Sequence, residues 1–273
     1  MTREQKIVEI SKHIIDALKP LLLYFGCTGF LMGAGMLIRR QQGNEAAFFY
    51  ESSNFYVFMG NLFFWFLLYR KAKRDKISIF EIATLDYKVI QVKQALMSFL
   101  LGVSAALFLS ALITLMPMPA AWRLAYHTST GRIFTGPDRV LVILMLVAVS
   151  PLTEEVVFRG LVLNRLLGYF DEKTSIILSA AVFGLCHVNP LWILYAGLMG
   201  AFLAKLSIKE DNILYCVLIH MGFNFPTVIL SFIGANRNLK SSALGVILIV
   251  MLGVLGALAF KLLTMKLKEE ETI

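Results

Sequence analysis

Apolar residues along the chain fall into long blocks, broken by short charged, Pro-bearing or Asn-bearing stretches. Blocks of that length predict membrane-crossing helices rather than half-buried soluble elements. Eight spans are expected. The first covers 21–38 and is closed by Arg39 and Arg40, with Gly29 and Gly33 at a small-xxx-small spacing that allows close helix contact. The second covers 55–69 and runs into Arg70, Lys71, Lys73, Arg74 and Lys76. The third covers 95–116 and is stopped by Pro117 and Pro119. A loop with Trp122 and Tyr126 at the interface should follow it. The fourth is one long helical stretch over 140–167. The fifth covers 174–187, closed by Asn189 and Pro190, and the sixth 191–206. The seventh covers 213–232, with Pro226 expected to kink it. The eighth covers 243–263 and is anchored by Lys266 and Lys268.

Ahead of the spans, residues 1–19 set Ile7, Ile10, Ile14, Ile15 and Leu18 at helical spacing between Arg3, Lys6, Lys12 and Lys19. This predicts an amphipathic helix lying on the membrane surface. The segment has no apolar core of the kind a cleavable signal peptide needs. Residues 77–94 are mixed and read as another surface helix. No internal repeat or low-complexity tract appears, so residues 1–273 are read as a single all-α integral-membrane domain, with the chemistry in 140–232.

Composition agrees with that pattern. The chain is 58% hydrophobic, only 16% charged, and has a mean hydropathy of +0.73. Soluble domains carry nearer a quarter charged residues. A net charge of +8 would fit a nucleic-acid partner, but the basic residues flank apolar blocks instead of forming one stripe, so no nucleic-acid role is expected. With Arg159 set aside, 18 of the 26 Lys and Arg residues fall to one side of the spans and 7 to the other. The basic side is the cytoplasmic one, which puts both termini in the cytoplasm and the protein in the cell membrane. Cys27, Cys186 and Cys216 all sit in apolar segments and read as small buried hydrophobes, not as a disulfide framework.

The fourth span is interrupted by Glu154, Glu155 and Arg159. Ionisable groups at lipid depth are costly, face the bundle interior and mark functional sites by default. Glu155 and Arg159 stand at i and i+4 on a helix, share a face and can pair. Glu154 lies about 100° round the helix and is left over. Further polar side chains at depth are His187, four residues after Phe183, and His220 with Asn224, again four apart. Asn164 is a weaker addition. Read alone, His187 could be an interfacial residue, and His220 with Asn224 could be hydrogen-bonding glue between helices. Three helices that each carry such groups should converge them on one site.

The chemistry such a set supports is hydrolysis. A glutamate in an apolar pocket can act as general base on a water. In this allocation Glu154 is the base, His187 its partner in holding the water, and His220 and Asn224 donate to the oxyanion. Glu155 and Arg159 are structural. Two histidines and a glutamate (His187, His220, Glu154) would also make a Zn2+ set, so a metal is left open beside a glutamate-activated water. At ~1.5 Å per residue, Glu154 is about 21 Å from the outer edge of its span and His187 about 20 Å from the inner edge of its own. Those depths lie on opposite sides of the midplane unless the long fourth helix tilts or projects beyond the bilayer.

These three motifs (Glu154, Glu155 and Arg159; Phe183 and His187; His220 and Asn224) resemble those of the CAAX protease and bacteriocin-processing family, and in particular its type II CAAX prenyl endopeptidases. They match in order, residue type and placement in apolar helices. The resemblance implies an eight-helix intramembrane endopeptidase, often described as a metalloprotease, acting on a membrane-associated or prenylated peptide. It equally implies non-proteolytic relatives with roles in bacteriocin self-immunity or scaffolding. An ion-coupled transporter is a further alternative, though no repeated halves are visible. The chain contains no His-Glu-x-x-His, Gly-x-Ser-Gly or Gly-x-Gly-Asp motif, so zincin, rhomboid-type and presenilin-type sites are excluded.

Overall fold

In the computed structural model, described over residues 3–44, 48, 52–82, 90–133, 139–232, 245, 250, 252–257 and 260, the regular elements are helices. They are α1 (Arg3–Gln41), α2 (Ser53–Asp75), the short α3 (Ile79–Ile82), α4 (Val92–Leu115), α5 (Ala120–Ile133), α6 (Arg139–Leu167), α7 (Glu172–Leu185), α8 (Pro190–Glu210) and α9 (Leu214–Phe232). Among the described residues four helices are long and apolar enough to cross a membrane: Ile7–Gln41, Val92–Ile113, Arg139–Leu167 and Pro190–Glu210. The protein is therefore an all-helical integral membrane protein. The expected eighth span lies largely outside the described residues.

Three elements differ from the sequence expectation. The surface helix over 1–19 and the first span are one 39-residue helix that passes through Pro20. The charged run to Lys19 looked like a terminus, but a proline inside a membrane helix is tolerated where its surroundings re-satisfy the freed backbone. The loop expected after Pro119 is the helix α5, because a proline stops a preceding helix yet suits the start of the next. The fifth span shrinks to the 14 residues of α7. At ~1.5 Å per residue, α7 is about 21 Å long, short of the ~30 Å hydrocarbon core.

Glycine and other small residues set how closely the helices approach. A Cβ on Gly102 would stand 1.9 Å from the Ile219 carbonyl oxygen, and one on Gly222 would stand 2.0 Å from that of Phe99. The α4–α9 crossing is thus backbone against backbone, the geometry that small residues permit in membranes. The same edge of α4 buries Gln94, Ser98 and Ala106 at four-residue spacing, and Tyr215 of α9 donates its hydroxyl to Gln94 Oε1 at 3.1 Å. A Cβ on Gly184 would meet the Ile193 carbonyl at 2.7 Å, so α7 and α8 form a close hairpin too, though less tight than the α4–α9 crossing.

The central helix is α6. It is α-helical at Arg139–Ile143, π-helical over Leu144–Val149, α-helical over Ser150–Glu155, π-helical again over Val156–Leu163 and α-helical at Asn164–Leu167. Wide π turns are rare, occur mostly as single-turn bulges, and are frequent at functional sites. Here two of them bracket the six residues that carry both carboxylates. Val156, Val157, Phe158 and Val162 of the second π segment are buried against Tyr24 and Cys27 of α1, Phe64 of α2 and Phe183 of α7.

Candidate active site

Glu155 is fully buried, and its Oε1 accepts two hydrogen bonds: one from Arg159 Nη1 at 2.8 Å, the other from His220 Nδ1 at 2.8 Å. An ionised carboxylate only accepts, so the proton of that second bond sits on Nδ1 of His220. The i, i+4 pairing of Glu155 with Arg159 holds even though Arg159 lies in a π turn. Arg159, 1% exposed, also donates through Nη2 to the Gly200 carbonyl of α8 at 3.2 Å. Its guanidinium carbon lies 4.4 Å over the ring of Phe183. A charged pair so deeply buried must be hydrogen-bonded and paired to persist; here three helices supply partners, and Glu155 Oε2 and Arg159 Nε alone of the pair's polar atoms are buried without a hydrogen bond.

Phe183 links the motifs. Besides Arg159, its ring meets Phe158 at 4.9 Å, His187 at 4.9 Å and His220 at 6.0 Å, each edge to face. This removes the depth conflict between Glu154 and His187. α6 and α7 are joined by a short turn and run antiparallel, and they touch at Phe158 and Phe183. One turn before Phe158 is Glu154, and one turn after Phe183 is His187, so the two stand level. The large separation counted from the sequence came from treating α7 as a full span.

Glu154 is only partly buried, and its Oε2 lies 3.9 Å from His220 Nε2. Among the described residues it is therefore His220, not His187, whose ring nitrogen approaches this carboxylate. In the neutral ring with its proton on Nδ1, Nε2 is an acceptor. His187 sits where α7 unravels, and its Nδ1 faces the Phe183 carbonyl at 2.8 Å. The chain reverses there through Val188, at a φ of 61°, and Asn189, whose side-chain oxygen accepts from the backbone N–H of Leu191 and Trp192 and so caps α8 ahead of Pro190. Asn189 also reaches Ser129 of α5 at 3.4 Å.

Asn224 lies on the helical face of His220, but its amide nitrogen donates to the Leu146 carbonyl of the first π segment at 2.8 Å. One of its two N–H groups is thus taken up by a backbone oxygen whose i+5 residue is Pro151, which has no N–H to offer, while the Ser150 N–H goes to Met145. Asn164 turns back to the Gly160 carbonyl at 2.9 Å and is exposed, away from the cluster. Cys216 is buried and directed to the Leu203 carbonyl, as suits a small hydrophobe.

Two participants carried no signal in the sequence. Trp65 of α2 donates its indole N–H to the hydroxyl of Thr153 at 2.9 Å, and Thr153 donates onward to the Val149 carbonyl at 2.8 Å. The Gly200 carbonyl, which receives Arg159, is equally invisible to a side-chain motif. Along α6, beside Val149 and Leu152, a cavity of about 490 Å³ is walled also by Leu62, Trp65, Ile79, Phe80 and Leu214.

A metal would need Glu154, His187 and His220 together. Among the described residues no group of three or more His, Cys, Asp or Glu side chains is gathered closely enough to hold one. Glu154 and His220 face each other, and His187 does not complete the set.

A helical membrane protein with a carboxylate pair, an arginine and two histidines converging from three helices is the class that fold and site define. Residues 136–226 match the family described as type II CAAX prenyl endopeptidase, Rce1-like, which bears out the resemblance drawn from the motifs. That stretch contains every motif residue and leaves out α1, α2 and α4. An uncharacterized protein of Mycoplasma capricolum subsp. capricolum is 32% identical over 95 residues, covering 33% of this chain and 27% of the relative. The chain thus spans about a quarter of the length of that curated relative. No solved structure matches the chain.

Proposed function

We propose that the protein is an intramembrane endopeptidase that hydrolyses a peptide bond in a membrane-associated, CAAX-like or prenylated substrate, with Glu154 as general base. The observation that carries this reading is the division of labour between adjacent carboxylates. Glu155 accepts from Arg159 and His220 through Oε1 and has its Oε2 sealed away from solvent, whereas Glu154 presents a partly exposed oxygen 3.9 Å from His220 Nε2. A water at ordinary hydrogen-bonding distance from both atoms, ~2.8 Å, forms the apex of a triangle on that base. It would donate one hydrogen to Glu154 and one to Nε2, with an oxygen lone pair left for attack.

The steps balance without an added reagent. The water oxygen bonds to the scissile carbonyl carbon as its proton passes to Glu154. The oxyanion that forms takes hydrogen bonds from the remaining N–H of Asn224 and from His187 in its protonated form. The C–N bond then breaks, and the Glu154 carboxyl returns its proton to the leaving amine. His220 is thus assigned to holding the water, the role that sequence spacing had given to His187.

The test is cleavage of a prenylated CAAX peptide by the purified full chain in detergent. Glu154→Gln should lower kcat by about 10²- to 10⁴-fold, the usual worth of a positioned general base. Equal cleavage by this variant and the unaltered protein would overturn the assignment. Metal analysis of the same preparations covers the zinc alternative. Stoichiometric zinc that disappears in His220→Ala would replace the water triangle with a metal-bound water.

A further inference from the structure

The carboxylates stand on a six-residue α-helical piece, Ser150–Glu155, whose hydrogen-bond register changes at both ends. A continuous α-helix fixes the direction of every side chain through its own ladder. A short piece between two π segments meets a changed register at each end, so contacts from neighbouring helices bear on the aim of Glu154. Glu155 is tied by Arg159 and His220, but that tie does not include Glu154. On the opposite flank stands Thr153, which is fully buried. Its hydroxyl has one hydrogen, spent on the Val149 carbonyl, so it can only accept from the Trp65 indole, which has nothing but a donor to offer. The chain Trp65 N–H to Thr153 hydroxyl to Val149 carbonyl therefore has a single polarity and no alternative arrangement.

We propose that Trp65 is a positioning residue for Glu154, holding the Ser150–Glu155 turn through Thr153 and joining α2 to the active site. Trp65 touches neither of the reacting groups and acts through its neighbour. It comes from outside residues 136–226, so the matched segment by itself lacks the tie. The indole ring also forms part of the wall of the apolar cavity beside Val149 and Leu152. Its N–H and its ring face thus link that cavity to the turn bearing the base. The proposal rests on the endopeptidase reading for its kinetic consequence, but the tie itself does not.

The experiment uses the full chain with Trp65→Phe, which keeps a ring and loses the donor, Thr153→Val, which keeps the shape and loses the hydroxyl, and the double variant. Thr153→Ser serves as the rescue. Misplacement of a catalytic group by a fraction of an ångström should lower kcat by about tenfold in each single variant, with KM little changed. The double variant should be no worse than either single one, and Thr153→Ser should retain activity. Full kcat in Trp65→Phe, losses that multiply in the double variant, or a loss confined to KM would each overturn the proposal.

Hydrogen–deuterium exchange separates this from a failure of the endopeptidase reading. With the tie cut, backbone exchange over 149–155 should rise about fivefold, the worth of one net hydrogen bond. Exchange in α4 should stay as it was, and Thr153→Ser should exchange like the unaltered chain. If the unaltered protein cleaves nothing but this local rise appears, the hydrolytic reading fails and the tie stands. If exchange over 149–155 does not change, the tie is refuted whatever the peptide assay gives.

Discussion

α4 and α6 are almost equally apolar: their most hydrophobic stretches have mean hydropathies of 2.3 and 2.1. Yet 44% of that stretch is buried within the protein in α6 against 17% in α4. Hydropathy reports that both belong in a bilayer and says nothing about which one the bundle is built around. What separates them is a handful of polar side chains and where they point. α4 has one inward stripe, Gln94, Ser98, Gly102 and Ala106, closed by a neutral hydrogen bond from Tyr215, and presents Leu96, Leu100 and Leu112 outward. α6 buries full charges that no lipid can solvate, so helices have to surround it. In a membrane, burial in the bundle follows the expense of the polar groups more than the greasiness of the segment.

The strongest test of this contrast removes one charge from α6. Arg159→Met leaves Glu155 as an uncompensated buried carboxylate facing the ring nitrogen of His220. Breaking a buried pair from one side costs about 3–5 kcal/mol. Thermal unfolding in detergent should show that loss. Replacing Glu155 and Arg159 together by leucine and methionine should recover most of it, because apolar replacements of similar volume are often neutral. On α4 the matching change, Gln94→Leu, removes two neutral hydrogen bonds, from the Tyr215 hydroxyl and from the Gln91 backbone N–H, and should cost about 2 kcal/mol. Equal losses at the two sites would end the comparison.

A second test addresses the crossing where α4 does matter. Gly222→Ala puts a methyl group 2.0 Å from the Phe99 carbonyl, and Gly102→Ala puts one 1.9 Å from that of Ile219. Neither neighbour is a flexible side-chain tip, so the helices must part. Overpacking of this kind costs about 1–3 kcal/mol. The separation would also shift α9, which carries His220, so cleavage should fall along with the melting temperature. Gly33→Ala in α1, where a Cβ meets nothing within 4 Å, is the matched control and should change neither.

How much of this was written in the sequence depends on the range of the interaction. The pairing of Glu155 with Arg159 is local, four residues apart on one helix, and two opposite charges in an apolar block leave little else for them to do. The approximate extents of α4, α6, α8 and α9 follow from apolar run length, which the bilayer thickness enforces. The bond from His220 to Glu155 spans 65 residues in the chain, and the choice between the two histidines as partner of Glu154 depends on which ring the packing turns inward. No spacing rule encodes that. The π segments were hidden for a different reason: a shift from i→i+4 to i→i+5 bonding leaves no side-chain signature, and the valines and leucines of 156–163 suit either. Trp65 was hidden because a tryptophan on an apolar helix reads as lipid-facing or interfacial until its N–H is found to have a partner. The break after α7 was in principle readable from Asn189 and Pro190, a cap and a first-turn proline. The apolar run before it carries no mark that α7 ends at Leu185, after 14 residues.

The smallest effect expected is on the outward face of α4, and it bears on the comparison as directly as the largest. Leu96 and Leu100 are 57% and 47% exposed and lie on the side that lipid tails would cover. In water, truncating a leucine in a core loses burial and opens a cavity, at a cost of several kcal/mol. On a lipid-facing surface neither loss occurs. The hydrocarbon around the protein is as apolar as the side chain, so burying leucine against a helix gains little over leaving it in lipid, and the fluid chains fill the space a missing isobutyl group leaves. Leu96→Ala and Leu100→Ala should therefore each change stability by no more than about 0.5 kcal/mol, the range of ordinary surface substitutions. They should also leave cleavage intact, since Gln94, Ser98 and Gly102 on the opposite side keep their contacts with α9. A loss of 2 kcal/mol or more at either leucine would mean that another helix, not lipid, covers this face, and α4 would have to move inward beside α6.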